Sequence, residues 1–250
     1  MMDKTEKELL LSLAEAGDAA AKKRYATHYF YHENKQKLPK EIWERVWRYY
    51  HELADQGDSD AILTIGVIYY EGVNVVQDYT KARQYYEKAA QAGNTWAINN
   101  LGYCYYYGRE IPVDYEKAWK CFGKAASRGH HCGMYKLGDM YYYGKYVEQD
   151  YEKALLWYRQ AISCIDPSIP EYPNIAARIG KCLVYGHGTP ADPLEGLRWL
   201  QEAEYGCYRF LMNGDAFAHL SMPGIREDMS VAREKIEAVT QTMKTVVQYT

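Results

Sequence analysis

Residues 94–129 read NTWAINNLGYCYYYGREIPVDYEKAWKCFGKAASRG, and the landmarks of this stretch recur on both sides of it. Gly66, Gly102 and Gly138 stand 36 residues apart, as do Asp78, Asp114 and Asp150, and Ala82, Ala118 and Ala154. Three landmarks in one register mark a structural repeat. Units of this length stack on their neighbours and build long surfaces more readily than enclosed reaction chambers. The fold class follows: all-α, a solenoid of about five helical hairpins with capping helices at its ends.

The unit at 58–93 shows how each hairpin is specified. Gly57 stops one helix and Asp58 is placed to cap the next. Ala61, Ile65, Gly66 and Tyr69 then fall on one stripe, and Gly72 ends the helix. Asp78 starts a second helix whose face carries Ala82, Tyr85, Tyr86, Ala89 and Ala90, and Gly93 with Asn94 begins the cycle again. Glycine inside a helix costs about 1 kcal/mol relative to alanine. Its recurrence at Gly66, Gly102, Gly138 and Gly180 therefore predicts a partner helix too close to admit a Cβ. The spacing divides the chain into a capping helix (1–17), a degenerate repeat (18–57) and repeats at 58–93 and 94–129. A repeat with a long Pro-rich connection (130–174), one more repeat (175–206) and C-terminal capping helices (207–250) complete it. The terminal helix carries an apolar stripe of Ala232, Ile236, Val239, Met243 and Val246.

Composition narrows the function. The net charge is −3 and the pI about 6.2, which gives no footprint for nucleic acid or an anionic membrane. No apolar run approaches the roughly 20 residues of a membrane span, and the charged N-terminal segment lacks a signal-peptide core, so a cytoplasmic location is expected. The six cysteines form no CxxC pair and are expected to be mostly small core residues. His130, His131 and Cys132 are adjacent, but no second ligand pair lies at zinc-site spacing, so no metal and no cofactor are expected. His187 sits in the turn sequence YGHGTP, and the regularly spaced aspartates read as helix caps. Nothing joins a nucleophile, a base and an orienting group, so no catalytic residue is expected. The unusual feature is 27 tyrosines against 4 phenylalanines. Tyrosine combines an apolar body with a polar tip and suits half-buried or partner-binding surfaces.

The pattern AxxxLGxxYxxG followed by DYxKAxxxFxKAAxxG resembles the Sel1-like repeat, a relative of the tetratricopeptide repeat. It is carried by Ala97, Leu101, Gly102, Tyr105, Gly108, Asp114, Tyr115, Lys117, Ala118, Phe122, Lys124, Ala125, Ala126 and Gly129. The match is strong over 58–162, good over 175–203, weak over 18–57 and absent after about 207. The resemblance implies a right-handed α/α superhelix acting as a protein–protein interaction scaffold without catalytic residues. Some secreted relatives with paired cysteines are linked to β-lactam binding. The irregular cysteines here and the lack of an SxxK motif argue against that branch, as the acidic pI argues against a nucleic-acid reader.

By the same resemblance, the first helix of each hairpin lines a concave face. The expected groove residues are Tyr70, Trp96, Asn99, Tyr103, Tyr106, Tyr107, Tyr135, Asp139, Tyr142, Tyr143 and Tyr185. Leu63, Val67, Glu71 and Lys181 join them, with Lys23, Thr27, Phe30 and Tyr31 from the degenerate copy. Exposed Tyr and Trp are common hot-spot residues, so a monomer holding an extended or helical segment of a partner protein is expected. The competing reading is that the tyrosines stack on one another and only fill the groove.

Overall fold

The repeat spacing becomes twelve α-helices, with no strand among the described residues. The structure is a computed structural model describing residues 3–33, 35–213 and 218–248, with side chains as far as Thr242 except at His32, Ala218 and His219. The helices are α1 (Lys4–Glu15), α2 (Ala19–Thr27), α3 (Lys40–Asp55), α4 (Ser59–Glu71), α5 (Tyr79–Gln91) and α6 (Thr95–Tyr107). They continue with α7 (Tyr115–Ala126), α8 (His131–Tyr143), α9 (Tyr151–Ser163), α10 (Tyr172–Tyr185), α11 (Pro193–Met212) and α12 (Met222–Gln248). The chain divides into two compact units, Met1–Cys121 and Phe122–Thr250. No helix among the described residues is long and apolar enough to cross a membrane.

Punctuation follows the sequence closely. Asp58, Asp78, Asn94, Asp114, Asp150 and Asp192 each accept a backbone N–H of the helix they precede, at 2.8–3.0 Å. Gly72, Gly108, Gly144 and Gly186 close the first helices with φ between +62° and +74°, a region glycine enters without a Cβ clash. The loop then returns identically in four repeats. The N–H groups of Asp78, Asp114, Asp150 and Asp192 donate to the carbonyls of Tyr69, Tyr105, Tyr141 and Leu183 at 2.9–3.0 Å. Lys81, Lys117 and Lys153 lie 5.2–5.5 Å above the rings of Tyr69, Tyr105 and Tyr141, which accounts for the lysine of the DYxK motif.

The mid-helix glycines are contact points. A Cβ on Gly66 would lie 2.7 Å from the Tyr86 ring, and one on Gly138 would lie 2.5 Å from the Tyr158 ring. At Gly180 it would meet Leu200 at 2.8 Å and the Gly196 carbonyl at 2.9 Å. In these three hairpins a large side chain twenty positions along packs against the bare backbone. Tyr86 and Tyr158 are 2% and 0% exposed in consequence.

Each unit has its own core. In the N-terminal unit α1 contributes Leu10 and Ala14, and Tyr25, Phe30, Val46, Tyr49, Leu53 and Ile65 pack behind them. In the C-terminal unit Val184, Leu200, Ala203 and Cys207 pack against Met222, Ile225, Met229 and Ala232 of α12. Three features differ from the sequence reading. A π-helical turn, His28–His32, ends the first helix of the degenerate repeat and turns Phe30 into the core, away from its expected groove position. Helix α11 runs past Gly206 to Met212, because Gly206 leaves room for the Pro173 ring of α10. The buried stripe of α12 lies earlier than expected, ending near Ala232. Ile236 is half-buried, Val239 is exposed, and the side chains of Met243 and Val246 lie outside the described ones.

Two glycine-to-alanine substitutions separate propensity from packing. Gly123 lies inside α7 with nothing within 4 Å of an added Cβ, so Gly123→Ala should raise stability by up to about 1 kcal/mol. Gly138→Ala gains the same propensity but meets overpacking of roughly 1–3 kcal/mol, and a net loss is expected. Thermal unfolding followed by circular dichroism distinguishes the two. Equal midpoints for both variants would mean that the glycines are not contact points.

Candidate functional site

In the N-terminal unit the first helices α2, α4 and α6 enclose a cleft of about 650 Å³. That lies within the roughly 300–1,000 Å³ typical of ligand clefts. Tyr31, Leu63, Val67, Tyr70, Trp96 and Tyr103 form its walls, and Ala61, Thr64, Tyr50 and Tyr86 its floor. The floor follows from the hairpin geometry: Tyr86 can reach so deep because Gly66 has no Cβ.

The charges at the rim are largely spoken for. Lys23 reaches Asp58 at 2.9 Å and Asp60 at 2.8 Å, Asp60 accepts from Asn94 at 2.9 Å, and Lys35 pairs with Glu71. What remains open toward the cleft is aromatic surface and neutral hydroxyls. Tyr31 and Thr64 share a hydrogen bond of 3.3 Å between their oxygens. The Tyr50 hydroxyl, beside Thr27 and Thr64, is buried without a partner at hydrogen-bonding geometry. Burial pushes its pKa far up, so it is held as a phenol, a donor.

Of the expected groove residues, Tyr70, Trp96 and Tyr103 line this cleft, as do Leu63, Val67, Glu71, Lys23, Thr27 and Tyr31. Tyr107 continues the aromatic surface beyond it. Its ring stacks on Tyr103 at 6.1 Å and meets Tyr106 edge-on at 5.0 Å, and Tyr106 in turn meets Tyr115 at 5.3 Å. Asn99 is not a groove residue: it is 2% exposed, and Asn100, one step further round α6, lines the cleft instead. Tyr50, Tyr86, Asp60, Ala61, Thr64 and Asn100 were not anticipated from sequence. Tyr50 and Tyr86 belong to second helices, and only the short glycine contact reveals that a second-helix ring reaches the floor.

The C-terminal unit uses its tyrosines differently. Asp139 is buried, where it accepts from Tyr158 at 2.9 Å and pairs with Arg178 at 2.9 Å and Lys136 at 3.2 Å. Burial opposes the Arg178 charge, but Asp139 beside it more than compensates and raises its pKa. Asp139 is thus a structural hub, contrary to the groove position expected of it. Tyr142, also expected to be exposed, is 6% exposed and shares a 2.8 Å hydrogen bond with His187 Nδ1. Tyr151 stacks on His187 at 4.2 Å and Tyr185 at 5.6 Å. Tyr185 is half-buried, with Lys181 and Lys235 at 5.6 and 5.2 Å from its ring. Tyr135 is half-buried near Tyr158, and Tyr143 stays exposed with Arg178 5.5 Å from its ring. Here stacking explains most of the set.

All six cysteines are free, and Cys104, Cys132, Cys182 and Cys207 are buried as expected of core residues. Cys132 also meets His131 and Glu171, with the ligand atoms of all three within 4.8 Å of one another. Burial, and then the Glu171 charge, push the Cys132 thiol far above its ordinary pKa, so it is no thiolate nucleophile.

Comparison with known proteins places this geometry. The family model of the Sel1 repeat matches residues 59–94, 97–130, 133–165 and 176–204, which together exceed half of the chain. A solved protective antigen of uropathogenic Escherichia coli, described as displaying an SLR fold, is similar at 25% identity and a TM-score of 0.66. The match takes in 92% of this chain and 48% of that one, so this chain spans about half the length of the antigen. A Sel1 repeat protein from Oxalobacter formigenes is similar at 20% identity and a TM-score of 0.63, over 91% of this chain and 89% of that one. A putative Sel1 repeat protein from Klebsiella pneumoniae subsp. pneumoniae shares 19% identity and a TM-score of 0.54, over 88% and 99% of the two chains. No curated protein matches the sequence.

Removing the hub separates structure from surface. Asp139→Ala removes the counter-charge of buried Lys136 and half-buried Arg178 and is expected to cost roughly 3–5 kcal/mol, read as a lower urea midpoint at unchanged slope. Asp139→Asn, which keeps an acceptor for Tyr158, should cost less. A midpoint unchanged in both would show that Asp139 is not buried as described.

Proposed function

The chain belongs to the Sel1-repeat family, and from that membership we propose that it is a non-enzymatic interaction scaffold holding a peptide segment of a partner protein in the N-terminal cleft. The observation that supports the cleft is its composition. Trp96 and Tyr31 remain about half exposed beside a concave apolar floor, while the charges around them are paired within the protein. Large aromatic surface with few rotatable bonds gives contact area at little entropic cost.

The paired rim also says what enters. A charged side chain would find its counter-charges already engaged, whereas a neutral apolar one displaces water from Leu63, Val67 and Tyr70. A catalytic reading has less support. The His131, Cys132 and Glu171 group combines the residue types of a thiol enzyme, but Cys132 is 3% exposed and burial pushes its thiol pKa up.

A displayed peptide library selected on the full chain tests this reading. The selected peptides should share an apolar anchor, and Trp96→Ala or Tyr103→Ala should weaken them about 30-fold, the effect of losing a 2 kcal/mol hot spot. Both variants should keep the wild-type circular dichroism. Peptides that bind the variants as tightly as the wild type would place the binding surface elsewhere.

A further inference from the structure

The start of α8 departs from the rule that α4 and α6 obey. The triplets 36 and 72 residues earlier, Asn94-Thr95-Trp96 and Asp58-Ser59-Asp60, begin with a residue whose side chain caps its helix. In their place stand His130, His131 and Cys132, and His130 makes no side-chain cap hydrogen bond. Glu171 shows a second departure. It occupies the N-cap of α10 without capping it, and its carboxylate instead lies 3.6 Å from His131 Nε2. The lengthened connection after α9 is what brings it there, 39 residues beyond Cys132.

We propose that His131 Nε2, Cys132 Sγ and a Glu171 carboxylate oxygen bind a divalent transition-metal ion, with Zn²⁺ as the best fit. Zinc takes imidazole, thiolate and carboxylate at about 2.0–2.3 Å in a tetrahedron, which sets ligand atoms roughly 3.3–3.8 Å apart. The His131–Glu171 pair already has that spacing, and the whole set, within 4.8 Å, needs to close by about 1 Å at most. A sulfur and an imidazole in the set disfavour Mg²⁺ and Ca²⁺, which take oxygen ligands. Binding displaces the thiol proton to solvent and forms Zn–S, Zn–N and Zn–O bonds, with no change of oxidation state. Three protein ligands leave a fourth position for water or for a side chain of a partner. Sequence spacing concealed the site because its third ligand lies in the Pro-rich connection, outside the repeat.

Metal-free, freshly reduced full-length protein titrated with ZnCl₂ in a calorimeter tests the site. One Zn²⁺ per chain is expected at micromolar affinity or tighter, weakened at least about tenfold by Cys132→Ser and by Glu171→Gln. With CoCl₂ the wild type should show a thiolate-to-cobalt charge-transfer band that Cys132→Ser lacks. Absence of saturable one-to-one zinc binding, or wild-type affinity in both variants, overturns the proposal. So does a wild-type cobalt complex without the thiolate band, a result that needs no variant to fold.

Discussion

The structure depends on one contact, a large second-helix side chain packed against a bare glycine of the first helix. At Gly66 and Gly138 even a methyl group would fall within 2.7 Å of the facing tyrosine. The glycine sacrifices about 1 kcal/mol of helix propensity at each position. In return two helices approach closely enough to bury an entire aromatic side chain, which removes far more apolar surface from water. The caps and left-handed glycines then fix where each helix begins and ends. The contact recurs at Gly66, Gly138 and Gly180, and each time it closes a hairpin.

That contact also shapes the candidate site. Tyr86 fills the space above Gly66 and at the same time floors the N-terminal cleft, so packing and surface meet in one residue. Above it Tyr31 of the π turn, Tyr70 of α4 and Trp96 and Tyr103 of α6 remain as walls. In the C-terminal unit the equivalent surface is drawn inward by two local substitutions. Asp139 gathers Tyr158, Lys136 and Arg178, while His187 gathers Tyr142, Tyr151 and Tyr185. Tyr107 thus stays on the surface of one unit, while Tyr142 of the other is drawn inward.

How much of this the sequence shows depends on the range of each interaction. Caps, C-terminal glycines and the glycine contacts are local or recur at a fixed interval, so the letters around Gly66, Asp78 and Gly138 suffice to read them. The groove was legible at Tyr70, Trp96 and Tyr103, where helical periodicity alone decides the face. It failed at Asn99 and Asp139, which the family geometry placed in the groove although the helix turns them inward, Asp139 onto two cations. It also failed at Phe30, since a π turn shifts the register of everything after Thr27 in that helix. Tyr142 was hidden for a different reason: its partner, His187, is 45 residues away in a turn.

The central claim is that the glycine contacts sort the tyrosines into a packed set and a surface set. Hydroxyl-radical footprinting of the full chain, read residue by residue by mass spectrometry, measures that sorting directly. Tyr49, Tyr50, Tyr86 and Tyr158, each at most 2% exposed, should be protected. Tyr31, Trp96, Tyr107 and Tyr143, all 45–52% exposed, should oxidise readily. Oxidation of Tyr86 or Tyr158 as fast as Tyr107 would contradict the account, because the rings could not then lie on Gly66 and Gly138.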